Sequence, residues 1–311
     1  MKNTRSYSPP IELMLNDHRI IDLMCTMKSI PTLGLAVFFT LSLQAQREYL
    51  PTKEDLQHFH RTKTYVVLHD NPLSEYNFEI KDAIEKYWDI TEFEFIQFRD
   101  FGDKSRDLNG SFLYTAAVSF EKDRSNARYL FLCLSLGGDY PSLDEMKDIT
   151  NLPLSYYGVD EDHYSYKLGT IIRFMQDHIR LITADPGMVS QNVFKHYNEN
   201  MADIRGKTLY LVEEELDKDV STEARIGAIY PLPVQIVDRD RIRELIMEGD
   251  EQAVFLHKVG PEGRQMEARV YKILIGAGDS KFYYFDFHKT GGKHPDAFLA
   301  SDFTKLAKAI Q

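Results

Sequence analysis

Histidine and carboxylate side chains are the chemical resource of this sequence. His69 and Asp70 close the apolar run Thr64–His69, Glu213 closes Thr208–Glu213, and His257 lies in Ala253–Val259, so corresponding strand ends would carry titratable groups. A histidine oriented by a carboxylate serves as general base or acid near neutral pH. An aspartate and a histidine without a nucleophile make no triad. An enzyme built on His69, Asp70, Glu213 and His257 therefore requires those groups to converge within hydrogen-bond reach in a cleft, where they would serve hydrolase-like chemistry.

The remaining histidines and acids carry less. His58 and His60 are two apart, which places them on one face of a strand but on different sides of a helix, and zinc there would need a third ligand from elsewhere. His288 and His294 flank a turn whose Gly291-Gly292-Lys293 mimics a phosphate loop. It lacks the first glycine at the needed spacing and has His294 where a hydroxyl would be required, so it reads as a hairpin turn. Asp160-Glu161-Asp162 and Glu213-Glu214-Glu215 offer oxygen ligands without the loop pattern of a calcium site, and read as solvated acidic faces. Cys133 sits in the apolar run Tyr129–Leu134, where an inert buried thiol is expected. Local signatures of nucleotide, metalloprotease, serine hydrolase and thiol-redox sites are absent, so neither a cofactor nor a metal is expected. The formal net charge of −11 lacks the positive field that gathers phosphate backbones, which makes nucleic acid an unexpected partner.

Two sets of elements must position these residues. Strands are expected over Thr64–His69, Glu92–Phe98, Gly110–Phe120 and Arg128–Leu136, then over Thr208–Glu213, Val234–Val237, Ala253–Val259, Ala268–Ile275 and Phe282–Phe287. Ile80, Ala83, Ile84 and Tyr87 fall at helical spacing behind Ser74 as N-cap, and shorter helices are expected over Ser221–Ala228 and Arg241–Met247. Leu168, Ile171, Ile172, Met175, Ile179 and Ile182 form one closing stripe, and Phe303, Leu306, Ala307 and Ile310 another. The polar segment Gly138–Asp162 reads as a long connection, a place for a binding surface. Asp185-Pro186-Gly187 breaks the chain before an amphipathic helix marked by Val189, Val193, Tyr197 and Met201.

Self-similarity ties the two sets together. Lys63–Leu68 aligns with Lys207–Val212, Asn109–Tyr114 with Asp250–Phe255, and Ala127–Leu130 with Ala268–Tyr271. The expected fold is α/β (α+β), with two tandem β-α-β-β-β-α domains over residues 46–183 and 206–311, joined by a linker helix over 184–205.

Residues 1–45 read differently. Ile30–Leu43 is an apolar run between Met27-Lys28 and Gln44-Ala45-Gln46, the pattern of a secretory signal that opens at Met27 behind an upstream extension and is cut after Ala45. It is shorter than the roughly 20 apolar residues a membrane span needs, and no later segment approaches that length. Cys25 lies upstream of the cut, which leaves Cys133 without a disulfide partner. An exported protein of the periplasm or cell surface is expected.

The stretch Val234-Gln235-Ile236-Val237-Asp238-Arg239-Asp240-Arg241 through Asp250, followed by Ala253–Val259 and Ala268–Ile275, resembles the TolB amino-terminal domain and CsgG-like export domains, in which a strand ending in Val-Asp-Arg leads into a short helix and then a hairpin. The first half departs from that pattern, since Phe95–Phe101 is not followed by a helix-forming run. The Ala45-Gln46 ending is similar to that of exported proteins of the Bacteroidetes type. Both resemblances imply an envelope interaction module without catalysis, whose partner would be an envelope protein. Of the many aromatics, Tyr 18 and Phe 19 in number, most must fill cores, and Tyr156, Tyr157, Tyr283 and Phe285 are the candidates for exposed binding anchors.

Overall fold

Runs of Val, Leu and Tyr without polar alternation form strands when both faces are covered, and here they form the centres of two mixed sheets. The computed structural model describes residues 50–311 except 121, 122, 124, 191, 265, 292 and 293. The signal-like run Ile30–Leu43, the cut after Ala45 and Gly292-Lys293 of the turn lie outside the described residues.

After helix α1 (Lys53–Phe59), the first half runs β1 (Lys63–Leu68), α2 (Glu75–Tyr87), β2 (Glu92–Gln97), α3 (Phe98–Lys104), β3 (Gly110–Val118), β4 (Tyr129–Leu136), β5 (Asp148–Tyr156) and α4 (Leu168–Ala184). After α5 (Val193–Asn198), the second runs β6 (Thr208–Leu211), α6 (Glu223–Gly227), β7 (Val234–Ile236), α7 (Arg239–Glu248), β8 (Ala253–Val259), β9 (Arg269–Gly276), β10 (Phe282–Lys289) and α8 (Ala300–Ala309). The strand orders are β2-β1-β3-β4-β5 and β7-β6-β8-β9-β10. In each sheet the first three strands in sequence are parallel and the last two antiparallel. The halves therefore share one topology, as the order of elements in the sequence predicts.

Three expectations change. The connection Gly138–Asp162 contains strand β5, all of it buried. Its sequence hides the strand because Pro153 interrupts it, and the proline is accommodated where the pairing with β4 slips at a bulge. The first half also has the helix it was expected to lack. Phe98–Lys104 forms α3 despite Gly102, because Phe101 packs onto Phe112 and Tyr114 with ring centroids 5.5 and 4.8 Å away. The linker, finally, is a 3₁₀ turn (Pro186–Ser190), α5 and a second 3₁₀ segment (Glu199–Ile204) rather than one helix. It docks on β10, where the Asn198 amide accepts from Phe285 N–H at 2.7 Å and donates to Phe285 C=O at 2.9 Å.

The register of the repeat also shifts. Lys63 faces Gly110 as Thr208 faces Ala253, and Lys63 N–H reaches Asn109 C=O as Thr208 N–H reaches Gln252 C=O. Lys63 thus corresponds to Thr208 rather than to Lys207, and Gly110 to Ala253 rather than to Glu251. A one-residue slip exchanges the two faces of a strand, so face assignments follow this pairing.

The two halves share a core. Apolar side chains of the first half continue into Phe255, Tyr271, Ile273, Phe282 and Phe285 on one face of the second sheet, while Leu209, Leu211, Val254, Leu256 and Leu274 pack on the other with Phe303 and Leu306 of α8. Polar contacts join the halves as well. Arg269 N–H donates to the Tyr129 hydroxyl at 2.6 Å, and the Arg269 guanidinium meets Asp123 at 2.6 Å over the Phe120 ring. Among the described residues no helix is long and apolar enough to cross a membrane.

Candidate functional site

In a sheet whose second strand lies to one side of the first and whose third lies to the other, the crevice beyond the carboxyl ends of the first and third strands is where ligands sit. Both halves have this order, and each crevice holds titratable side chains.

In the first half, His69 leaves β1 at the crevice. Its backbone is fixed by Asn77, which accepts from His69 N–H at 2.8 Å and donates to His69 C=O at 2.9 Å, and its ring stacks on Tyr76 at 4.2 Å. Nδ1 lies 3.1 Å from Glu161 Oε1 and Nε2 lies 3.0 Å from Thr115 Oγ1. A carboxylate only accepts, so Nδ1 carries a proton, and in the neutral ring the Nε2 lone pair accepts from the Thr115 hydroxyl. Asp160 and Asp162 are exposed, as expected of a solvated acidic face, but Glu161 between them turns inward to the N-terminus of α2. There it accepts from Tyr76 N–H at 3.0 Å and from Ser74 Oγ at 2.8 and 2.9 Å. Ser74 is the N-cap residue, as expected, yet its own side chain makes no capping bond; Glu161 caps the helix in its place. Burial alone would raise the Glu161 carboxyl, but the Tyr76 N–H, Ser74 and His69 outweigh it and hold the group below the usual carboxylate range. Asp70 is exposed.

In the second half, Glu213 stays exposed while Glu215 turns inward, which corrects the reading of that acidic run as a wholly solvated face. Lys167, supplied by the first half and fully buried, lies 3.8 Å from Glu215 Oε1 and donates to Leu256 C=O at 3.4 Å. His257 is buried with Nε2 3.0 Å from Pro153 C=O, so Nε2 carries the proton and the ring is neutral. Burial, with the nearby Lys167 ammonium, pushes its pKa down to about 3. Lys258 corresponds to Thr115 in the shared register, and its ammonium donates to Asp296 at 2.8 Å. Glu161 and Asp296 both come from the segment between the last strand and the last helix of their half. Each crevice is thus filled by an acid of the chain itself.

At the carboxyl ends of β6 and β7, an open cavity of about 500 Å³ is lined by Glu213, Glu214, Ile236, Val237, Asp238 and Arg241. Asp238 caps α7 by accepting from Arg241 N–H at 2.9 Å, and the Arg241 guanidinium is held by Glu244 at 2.8 Å.

The four residues of the enzyme reading do not converge. His69 belongs to the first crevice, His257 is sealed between the halves, and Glu213 and Asp70 face solvent. Sequence reasoning missed Thr115 and the pairing of Glu161 with His69, because both residues come from segments distant in the chain, and Glu161 falls in one assigned to a loop. The only signal was the position of Thr115 within a strand adjoining β1. The aromatic anchors divide as well. Tyr157 is 43% exposed, whereas Tyr156, Tyr283 and Phe285 are 4%, 2% and 1% exposed. Tyr156 is covered because β5 packs against the second half, its hydroxyl 3.0 Å from Met266 Sδ. Phe285 is covered by Phe194 of the docked linker, and Tyr283 donates its hydroxyl to Asp279.

Of the remaining histidines, His58 lies 2.8 Å from Leu108 C=O and His60 lies 3.0 Å from Thr183 Oγ1. Gly291 and His294 form an isolated antiparallel bridge, in keeping with the hairpin reading. Cys133 is buried, and burial raises its thiol well above the ordinary range. No family model matches the chain, and neither a curated protein nor a solved structure does so.

Proposed function

We propose that this protein is exported and acts without catalysis, as an interaction module of the cell envelope. The observation that carries the reading is the state of the two crevices, each occupied by an internal acid that neighbouring donors hold in place. Export rests on the run Ile30–Leu43 and the cut after Ala45. The resemblance of Val234–Ile275 to TolB amino-terminal and CsgG-like domains points the same way. An envelope protein is the proposed partner, and Tyr157 is the proposed anchor. Its ring stands in solvent with the Arg128 guanidinium 4.1 Å from its centroid, an arrangement suited to a polar-rimmed protein contact. Tyr157→Ala is expected to reduce capture of envelope proteins from the native cell at least severalfold, while the melting temperature stays at the wild-type value. Equal capture by the variant removes Tyr157 from the interface.

A second reading is favoured by one observation, the alignment of Glu161, His69 and Thr115, which orders acid, base and hydroxyl as nucleophilic catalysis requires. In this hydrolase reading Thr115 Oγ1 attacks an ester carbonyl as His69 Nε2 takes its proton, the imidazolium returns that proton to the departing alcohol, and water deprotonated by His69 then cleaves the acyl-Thr115 ester. Purified wild type incubated with p-nitrophenyl acetate decides the point. Turnover that disappears in His69→Ala and Thr115→Val establishes the hydrolase, and a wild-type rate equal to buffer ends it.

A further inference from the structure

A terminal strand presents unpaired backbone donors and acceptors that can template another strand, and proteins normally shield such edges. The two sheets of the described residues have four. All nine residues of β5 are buried, and the second half reaches it where His257 Nε2 meets Pro153 C=O at 3.0 Å and Met266 Sδ meets the Tyr156 hydroxyl at 3.0 Å. At β10, Asn198 pairs with both backbone groups of Phe285, and Asn200 donates to Phe282 C=O at 2.9 Å. The β7 edge is three residues long, adjoins Pro231 and Pro233, and has its outward Ile236 N–H bonded to Glu223 at 3.0 Å. The fourth, β2, has six residues, no proline and, among the described residues, no hydrogen bond to the outward backbone groups of Phe93 and Phe95.

The shared topology identifies which groups are free. Ile236 faces Leu211 as Phe95 faces Val66. In the second half Leu209 N–H donates to Pro233 C=O and Val237 N–H to Leu211 C=O, which leaves Ile236 pointing outward. Phe95 takes the same orientation, and by alternation so do Phe93 and Gln97. The Phe93 and Phe95 rings lie on one face at 5.6 Å, both half-buried, while on the other face Glu92 and Glu94 are balanced by two lysines, Lys63 at 2.6 Å and Lys104 at 3.7 Å from Glu94.

From this we propose that the outer edge of β2 receives an extended segment of a partner protein as a sixth strand. The guest pairs its backbone with Phe93, Phe95 and Gln97 and lays apolar side chains at alternate positions beside Phe93 and Phe95. Near-neutrality of the Glu94 face leaves the guest free of any charge requirement, so the alternating apolar pattern is what selects it. The inference rests on the interaction reading but concerns a surface other than Tyr157.

The hexapeptide with the sequence of β1, Lys-Thr-Tyr-Val-Val-Leu, is a suitable probe, because that sequence already pairs with the inner edge of β2. Added to the purified protein, it is expected to slow amide exchange at Phe93, Phe95 and Gln97 about tenfold or more, and to leave Glu94 and Ile96 unchanged. Gln97→Pro removes one outward N–H without strain, since the residue already has φ −81. It is expected to weaken the peptide about tenfold, whereas Gln97→Ala stays within about threefold of wild type. Phe95→Pro provides an independent block should Gln97→Pro melt early. Absence of amide protection at about 5 mM peptide, or equal affinity in both proline variants, overturns the proposal. A dimer of this chain that is lost in Gln97→Pro also overturns it, by giving the edge to a second copy. Strand addition that persists in Tyr157→Ala, together with failed envelope capture, would separate the fate of this surface from that of the Tyr157 interface.

Discussion

Asp302→Ala is expected to cost about 3–5 kcal/mol of stability, the range for removing one member of a buried ion pair. Asp302 on α8 accepts from the Lys272 ammonium of β9 at 2.6 Å, with side-chain exposures of 2% and 1% for Lys272 and Asp302. The Tyr284 hydroxyl donates to the same oxygen at 2.7 Å, and Leu299 N–H donates to the other at 2.9 Å. Alanine leaves an ammonium buried without its counter-ion and uncaps α8 at once. The double variant Lys272→Met/Asp302→Leu is expected to recover most of the loss, because an apolar pair needs no charge to be satisfied. Urea unfolding followed by far-UV circular dichroism measures both. The lone tryptophan, Trp88, sits in the first half, so its fluorescence reports unfolding there. The shared core, with Lys167 and Arg269 reaching across, makes the halves one cooperative unit, and the two probes should shift together. A loss under about 1 kcal/mol would mean that water reaches the Lys272 ammonium.

Sequence made the sheet centres legible because their covered strands are continuous apolar runs, and Ala253–Val259 matches residue for residue. The closing helices were legible through stripes such as Leu168 to Ile182. What sequence concealed depended on partners remote in the chain. The polar start of β5 and its Pro153 carry a loop signature, and the bulged pairing with β4, with all nine residues buried, makes the segment a strand. The helix α3 contains Gly102 and buries one residue, Phe101. Among the aromatics, composition could not separate Tyr156 from Tyr157. Alternation along β5 sends one ring into the interface and leaves the next, past the strand end, in solvent.

The candidate site was half legible for the same reason. His69 was recognisable at a strand end, but its acid arrives from beyond β5 and its hydroxyl from β3. Ser74 was recognisable as an N-cap, but Glu161 performs the capping. A local rule therefore located the position correctly and named the wrong donor. Asp302 had no sequence signal beyond an acid near the start of a helix, although it anchors α8 to the sheet.

Asp148→Asn is expected to stabilise the protein at pH 8 by up to about 3 kcal/mol relative to its effect at pH 4. Asp148 begins β5 with its carboxyl buried, accepting from Ser135 Oγ at 2.5 Å and from the Asn151 amide at 2.9 Å. No cation faces it among the described residues, and burial pushes its pKa up to about 6 despite both hydrogen bonds. An acid whose folded pKa lies above its unfolded value of about 3.9 binds protons more tightly when folded. Its stabilising contribution is complete below pH 4 and lost as pH rises through 6, a change of about 2 pKa units or roughly 3 kcal/mol. Asparagine never ionises. Its oxygen can accept from Asn151 and its amide can donate to Ser135, whose hydroxyl already lies 3.2 Å from Tyr114. His178 and His257 bend the stability curve the other way. Burial depresses them to about 4 and about 3, so each withdraws stability as pH falls below 6.5. Both residues are common to wild type and variant, so they cancel in the difference between the two. Urea midpoints at pH 4, 6 and 8 should therefore show wild type and variant nearly equal at pH 4, and the variant ahead at pH 8. A difference that stays flat across this range would mean that Asp148 is ionised, and compensated, throughout.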